Sequence, residues 1–451
     1  MKFNYIRTVQ EYQEALPLIK KGEPLALDTE TMCRPEYEGR GGSALDPHTG
    51  RISLVITLTR GGIPQIFDLL CLEHEGYDPS ALVKALDDAT YLLGANIKFD
   101  AKQLRGTLGY EPLKMQDIIL MAKLVSNATG SKAGKAVGHS YKDLCREYLN
   151  VHLDGKGTLQ KSTWATGISS RSLENEWWAE KLQYAANDVH YLFPIYDLLE
   201  EVLTNPLPNS PLTQTGATSK WGFGMAVPLR REMEMIPVTA EMEYEGLPVS
   251  KKVMTAFQRA VSEELQTTAV WLSRELGLDT PQTDWEGKEV ASPKALKVLR
   301  SSTGLLELIK KALDFKKIDN VQAQTLSRML DILDALYRIK GDSDTEEGTG
   351  EDIFVDEDEA RLYEELTLLE HSELVATKPI IGKILDFKRL VKQEGMDLRK
   401  YINPATGRIH PSYSQVGTAT ARLSCASPNS QQISNKTKVI INGLVPLGVY
   451  E

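Results

Sequence analysis

Along the first two hundred positions the spacing of apolar residues changes period several times. PLALDTET at 24–31 is a short apolar run that stops at carboxylates, RISLVITLT at 51–59 is rich in β-branched residues, and IPQIFDL at 63–69 follows a Gly-Gly turn. Runs of this length bounded by turn residues predict three strands, lying side by side. SALVKALDD at 80–88 returns to helical spacing, with Ser80 as its N-cap after Pro79, and TYLLGAN at 90–96 predicts another buried strand. The region is α/β in character.

The texture then changes. Residues 203–228 hold four prolines among Gly, Ser and Thr, which sustain neither helix nor sheet. From 250 onward a long amphipathic helix is predicted, with Ser250 as N-cap, Gly277 beyond its end, and Val253, Phe257, Val261, Leu265 and Leu272 on one stripe. Another helical run covers 319–340, and the acidic stretch 341–360 reads as a solvated loop. The expected domains are 1–203, a linker at 204–228, a mostly α-helical second domain at 229–433, and a divergent tail at 434–451.

Composition adds boundaries. A chain of 451 residues, 41% hydrophobic and 25% charged, can bury two or three cores of ordinary soluble type. Cys33, Cys71, Cys145 and Cys425 are scattered, with no CxxC or Cys/His cluster; this argues against a zinc site or disulfide framework and for a reducing cytoplasm. No targeting segment and no membrane span are expected. The net charge of -10 argues against a general nucleic-acid coat protein. Basic stretches at 98–105, 132–142, 230–231 and 388–400 are, taken alone, solvated helix faces.

Candidate chemistry first shows at LDTET. Asp28 and Glu30 are two positions apart at the end of an apolar strand, so both side chains leave one face and can chelate one divalent cation. Among 62 acidic residues, a lone DxE is ordinary. In GANIKFDAKQL, Asn96 follows an apolar strand and Asp100 lies one turn on, at a helix start that tolerates negative charge. In KLQYAANDVHYL, Tyr184 and Asp188 are four apart on one helix face, and the alanines between them permit close approach. Each pattern alone is compatible with core filling or surface charge. In this order they supply four carboxylates, enough to hold two hard divalent cations about 4 Å apart, one activating a water and one stabilising the leaving oxygen of a phosphodiester.

That order resembles the DEDDy exonucleases, the 3′-to-5′ proofreading family, over roughly residues 20 to 200. The resemblance implies an α/β ribonuclease-H-like exonuclease domain. It implies the metal ligands Asp28, Glu30, Asp100 and Asp188 for two cations, Mg2+ or Mn2+, with Tyr184 orienting the attacking water and Asn96 assisting strand binding. Clustered carboxylates repel phosphate until metal arrives, so metal and a single-stranded 3′ end should bind together. Lys98, Lys102 and the segment 132–142 are candidates to guide that strand.

Two families carry this fold: ribonuclease D-like RNA trimmers and the proofreading domain of family A DNA polymerases. REMEMIPVTAEMEYEGLPVS at 231–250, an amphipathic helix ending in a Gly turn and short strand, resembles the opening of the polymerase domain. VASPKALKVL at 290–299 resembles a thumb helix, and INPATGRIHPSYSQVGTATARLSCASPNSQQI at 402–433 follows the family's TGRIH, TATGRLS and PNLQNIP pattern. Arg422 can bridge a phosphate or groove acceptor, while Gln431 and Gln432 offer paired donors and acceptors to base edges. By resemblance, Arg422 and Gln431 contact a primer–template duplex. Ala421 stands where the family has Gly, Cys425 replaces a small hydroxyl, Ser430 replaces Leu and Ser434 replaces Pro.

In that family the polymerase carboxylates lie further downstream, whereas 434–451 hold one acidic residue, Glu451; nucleotidyl transfer needs at least two placed carboxylates. The chain is therefore expected to be the exonuclease with a thumb and incomplete palm of a split or truncated family A polymerase, the rest on a second polypeptide. Direct entry into the exonuclease is phage-like, which would make the cytoplasm that of a host. The expected activity is metal-dependent 3′-to-5′ hydrolysis of DNA in proofreading. The alternatives are a non-catalytic DNA-clamping subunit and an RNA 3′ exonuclease.

Overall fold

The computed structural model describes residues 1–129, 138–153, 164–204, 225–313, 318–341, 363–364, 366–395, 397–418 and 420–432. Most of the expected linker at 204–228, the acidic stretch 341–360, the basic residues 132–137 and the tail 434–451 lie outside the described residues.

The elements begin with β1 (Asn4–Ile6), α1 (Val9–Ala15), β2 (Leu25–Cys33), β3 (Gly50–Thr59), β4 (Gln65–Asp68), α2 (Leu69–Glu75) and α3 (Pro79–Asp87). They continue with β5 (Leu92–Gly94), α4 (Ile97–Leu108), β6 (Met115–Asp117), α5 (Ile118–Thr129), α6 (Tyr141–Leu149), α7 (Glu176–His190) and α8 (Leu192–Thr204). After these come α9 (Ala226–Glu245), β7 (Leu247–Pro248), α10 (Lys251–Glu275), β8 (Gln282–Thr283), β9 (Glu289–Val290), α11 (Pro293–Arg300) and α12 (Ser302–Ala312). The last are α13 (Ala323–Gly341), α14 (His371–Glu394), β10 (Arg408–Ile409), β11 (Ser412–Ser414) and β12 (Ser424–Ala426). Contacts divide the chain into two units, Met1–Pro248 with Tyr401–Ile433 in one and Val249–Lys400 in the other.

The first unit is built on a mixed six-stranded sheet in the order β1-β4-β3-β2-β5-β6. The three strands anticipated from the apolar runs do lie side by side, and all three are paired antiparallel. Ile52, Leu54, Val55 and Ile56 of β3 are fully buried, which explains why that strand reads as continuous rather than alternating. β2 runs parallel to β5, placing Leu25 and Ala26 opposite Leu92 and Leu93. Further along β2, Asp28 pairs with Ile56 and Glu30 with Leu54, and the register shifts directly after Glu30. A shift of this kind bends a strand and re-aims its side chains.

Helix α3 corrects one expectation. Its N-cap is Asp78, whose carboxylate accepts the Ser80 N–H at 2.9 Å, with Pro79 in the first helical position. Proline favours the first helical position, where a missing N–H costs nothing and its fixed φ suits the helix, so the cap falls on the residue before it. Helix α9 ends as anticipated at Gly246, which has φ of +64° and leads into β7. A Cβ there would sit 2.5 Å from the Ile409 carbonyl oxygen, so glycine is required by closeness as well as by conformation.

A fully buried ion pair ties the loop before α7 to the sheet. Arg171 donates to Asp68 at 2.8 Å, to Ser53 Oγ and the Trp164 carbonyl at 2.8 Å each, and to the Thr166 carbonyl at 2.8 Å. Asp68 also accepts from the Tyr5 hydroxyl at 2.6 Å and the Cys71 N–H at 3.1 Å.

The second unit is mostly helical. Ser250 caps α10 through the Val253 N–H at 3.3 Å, as the sequence suggests, and Ser292 caps α11 through the Ala295 N–H at 3.0 Å. The apolar stripe of α10 differs at its start: Val253 is exposed and Phe257 half-buried, while Met254 is buried and leads the face through Val261, Leu265 and Leu272. This core also takes Leu305 and Ile309 of α12, Met329 and Leu333 of α13, and Ile381, Ile384 and Phe387 of α14. Among the described residues no helix is long and apolar enough to cross a membrane.

Replacing Arg171 with methionine leaves the Asp68 charge buried without its main partner, and should cost about 3–5 kcal/mol in urea unfolding. The double replacement with Asp68→Asn should recover part of that loss. A loss under about 1 kcal/mol for Arg171→Met would show that the pair is not what holds this loop.

Candidate active site

β2 and α7 bring three carboxylates together. Oxygens of Asp28, Glu30 and Asp188 lie within 4.8 Å of one another, and all three residues are half-buried. Asp28 and Glu30 share a face because strand side chains alternate. Asp188 reaches them because α7 packs its smallest residues inward: Ala185 and Ala186 are fully buried. Among the described residues no other group of three metal-ligating side chains meets this closely. An all-carboxylate oxygen donor set suits a hard divalent cation such as Mg2+ or Mn2+ and is a poor match for soft metals.

Tyr184 sits on the same face of α7 as Asp188, one turn earlier, and is buried. Burial, the charges of Asp188, Glu30 and Asp28, and a hydrogen bond to Asp188 all push its phenol above the ordinary range. It is therefore a neutral hydrogen-bond donor across the physiological range.

Another residue on this face was missed in the sequence. Lys181 is fully buried, three residues before Tyr184 and seven before Asp188, so all three fall on one helical stripe. Its ammonium lies 4.3 Å from the Trp164 ring centre, 4.4 Å from Trp177 and 5.7 Å from Trp178. Burial pulls its pKa down to about 8, with the Glu30 charge opposing that shift and Arg171 adding to it. The i, i+3, i+7 spacing was available, but the tryptophan enclosure comes partly from Trp164, distant in sequence and held by Arg171.

Asp100 stands apart from the three clustered carboxylates. It is buried, and its Oδ1 accepts from Thr29 Oγ1 at 2.6 Å. Thr29 separates Asp28 from Glu30, so Asp100 is anchored to the same strand without joining the cluster. Burial raises its carboxyl to about 7. Asn96, the residue before α4, has φ of +67°, and its side chain does not cap the helix. That task falls to Asp117, which accepts the Ile97 N–H at 3.1 Å as well as the Ile119 N–H at 2.8 Å.

The basic stretch 98–105 is engaged within its own unit. Lys98 pairs with Glu243 at 2.6 Å, Lys102 pairs with the other oxygen of Glu243, and Arg105 pairs with Glu245 at 2.6 Å. Arg422 lies in the loop of the β11–β12 hairpin, exposed, with its N–H donated to Thr418 Oγ1 at 3.0 Å. Gln431 is also exposed, just past the hairpin. Ala421 has φ of +55°, which gives a physical reason for glycine at this place in the family pattern.

Comparisons with known proteins match two parts of the chain. Residues 3–204 match a 3′-5′ exonuclease family, and residues 362–442 match DNA polymerase family A. The chain is 44% identical over 69 residues to DNA polymerase I of Chloroflexus aurantiacus, a match covering 15% of this chain and 7% of that protein. It is 42% identical over 62 residues to the thermostable DNA polymerase I of Thermus aquaticus, covering 13% and 8%. These matches span less than a tenth of the relatives' own length. The POL domain of Pol1 from M. smegmatis, in complex with DNA primer-template and dNTP, has a similar fold, with a TM-score of 0.57 at 16% identity over 97% of this chain and 57% of that one. The fold and matches define a protein with a 3′-5′ exonuclease domain followed by polymerase-type sequence. In sequence the chain is thus similar to family A DNA polymerases that carry an exonuclease domain.

A carboxyl raised from the usual 3.8 to about 7 binds its proton in the folded state while the unfolded chain has already released it. Burying Asp100 therefore costs nothing below about pH 4, and its cost grows up to about pH 7. In chelator, Asp100→Asn should raise the melting temperature at pH 8 and change it little at pH 4. An equal destabilisation at both pH values would contradict the assignment.

Proposed function

We propose that this chain is a divalent-metal-dependent 3′-to-5′ DNA exonuclease that removes misincorporated nucleotides from a primer end. The observation that carries the reading is the meeting of Asp28, Glu30 and Asp188 within 4.8 Å beside the Tyr184 phenol. Asp28, Glu30 and Asp188 would hold the cations, with Asp100 contributing from its position beside β2. Divalent cations held there supply Lewis acidity toward the attacking water and the leaving oxygen of the phosphodiester.

The residues of the chain supply the rest. Tyr184 keeps its proton, so it aligns the attacking water by donating or accepting a hydrogen bond and does not serve as the base. Lys181, when protonated, sets a positive charge near Glu30 and would offset part of the repulsion among the carboxylates. Asn96, at the start of α4, would contact the strand. Arg422 and Gln431, exposed on and beside the hairpin, would meet a duplex through phosphate and base-edge contacts.

Incubation of a 5′-labelled single-stranded DNA with Mg2+ or Mn2+ should give stepwise shortening from the 3′ end, and EDTA should stop it. The Asp28→Ala, Glu30→Ala double variant should lose on the order of a thousandfold or more in rate. Unchanged digestion by that variant, or preference for RNA over DNA, would sink the reading. Tyr184→Phe should lose roughly a hundredfold in kcat, and the wild-type pH profile should show no fall below pH 10 from tyrosine ionisation. A basic limb below that pH that disappears in Tyr184→Phe would contradict the neutral role.

A further inference from the structure

Lys181 places an amine where an apolar side chain would cost less. It is fully buried on α7, and taking an ammonium out of water is unfavourable unless something replaces the solvent. Three indole rings do so. The Lys181 nitrogen stands 4.3 Å from the ring centre of Trp164, 4.4 Å from Trp177 and 5.7 Å from Trp178, and a desolvated cation is attracted most strongly by a tryptophan face. Two of the rings are tied down in turn. Arg171 donates to the Trp164 carbonyl at 2.8 Å, and Trp178 Nε1–H donates to the Tyr5 hydroxyl at 2.8 Å. Half of the chain's six tryptophans thus surround one ammonium, whereas a packing role alone would be met by methionine at this position.

The charges around this box point the ammonium toward the carboxylates. Arg171 lies over the Trp178 ring at 4.7 Å, but its own charge is matched by Asp68, with both side chains fully buried. Of the charges that bear on Lys181, Glu30 favours the ammonium and Arg171 opposes it, against a larger effect of burial. Lys181, Tyr184 and Asp188 share one helical stripe. Tyr184, in the middle of that stripe, feels the charges of Asp188, Glu30 and Asp28 alike. The lysine therefore stands at one end of the cluster, with Glu30 as the carboxylate whose charge reaches it.

A positive charge among crowded carboxylates relieves their repulsion, and the same charge competes with any cation that enters. We infer that Lys181 is a positioning residue, the resident counter-cation of the Asp28, Glu30 and Asp188 cluster: it steadies Glu30 before a divalent cation binds, and it weakens the affinity of the site for that cation in the protein without DNA. This role rests on the exonuclease reading and concerns how tightly the site holds metal rather than the chemical step. Its sign separates it from a structural role. A lysine that only filled the tryptophan box would, when replaced, leave the carboxylates as they are or loosen them, and neither change tightens metal binding.

Mn2+ binding to the full chain at pH 7, without DNA, is measured by electron paramagnetic resonance for the wild type, Lys181→Met and Lys181→Gln, with the Asp28→Ala, Glu30→Ala double variant as the control for the site. Both lysine variants should bind Mn2+ roughly 5- to 50-fold more tightly than the wild type. Their melting temperatures should also rise further than the wild type's between EDTA and saturating Mn2+. Binding by the lysine variants that equals the wild type's, or is weaker, overturns the counter-cation and leaves the exonuclease reading in place. Mn2+ binding that persists at wild-type affinity in the double variant removes the cation site, and both readings fall with it. A measurement on the wild type alone covers the case in which neither lysine variant folds. Adding Mg2+ draws Glu30 toward the cation and changes the field at the three boxed indoles, so tryptophan emission should shift as the site fills; emission that stays constant at saturating Mg2+ overturns the role.

Discussion

Three carboxylates held within 4.8 Å repel one another, by roughly 3 kcal/mol per pair at an effective dielectric near 20. No local preference of strand or helix favours that arrangement, so the surrounding fold has to impose it. β2 is fixed on both sides by β3 and β5, and the register shift after Glu30 sets where its side chains point. α7 is able to approach because Ala185 and Ala186 face inward. The segment before α7 is held by the Arg171–Asp68 pair, which in turn places Trp164 against Lys181. The buried ammonium then offsets part of the repulsion that the fold creates.

α4 links this cluster to the polymerase-type segments of the same unit. Its inward face holds Asp100 against Thr29, and its outward face meets Glu243 of α9 and β11 through Lys98 and Lys102. Gly246 lets the chain turn tightly out of α9 under the Ile409 carbonyl, and the short pairing of β7 with β10 closes that corner. Residues far apart in sequence therefore share one packed unit.

Much of this was legible in the sequence where the signal is periodic and local. The three adjacent strands, the YxxxD helix, the DxE face and the Ser250 cap follow from spacing and from the chemistry of single residues. Less was legible where the deciding partner is distant. Asp78 outranked Ser80 as a cap because Pro79 takes the first helical position. Met254 replaced Val253 on the α10 stripe because tertiary packing, not periodicity, chooses the first buried turn. Lys98 and Lys102 read as a free basic face until Glu243, more than 140 residues on, is seen between them. Lys181 looks like an ordinary helix lysine until Trp164 closes over it. Asp100 carries the right spacing for a ligand, but its bond to Thr29, seventy-one residues away, is not legible from spacing.

The central claim is that Asp28, Glu30 and Asp188 form a cation site. Crystals of the protein grown with MnCl2 and a short single-stranded DNA, measured at the manganese absorption edge, address it directly. The account predicts an anomalous peak within about 2.5 Å of oxygens from at least two of these three side chains. A crystal whose protein still digests DNA, but whose manganese lies elsewhere and leaves these oxygens bare, would contradict it.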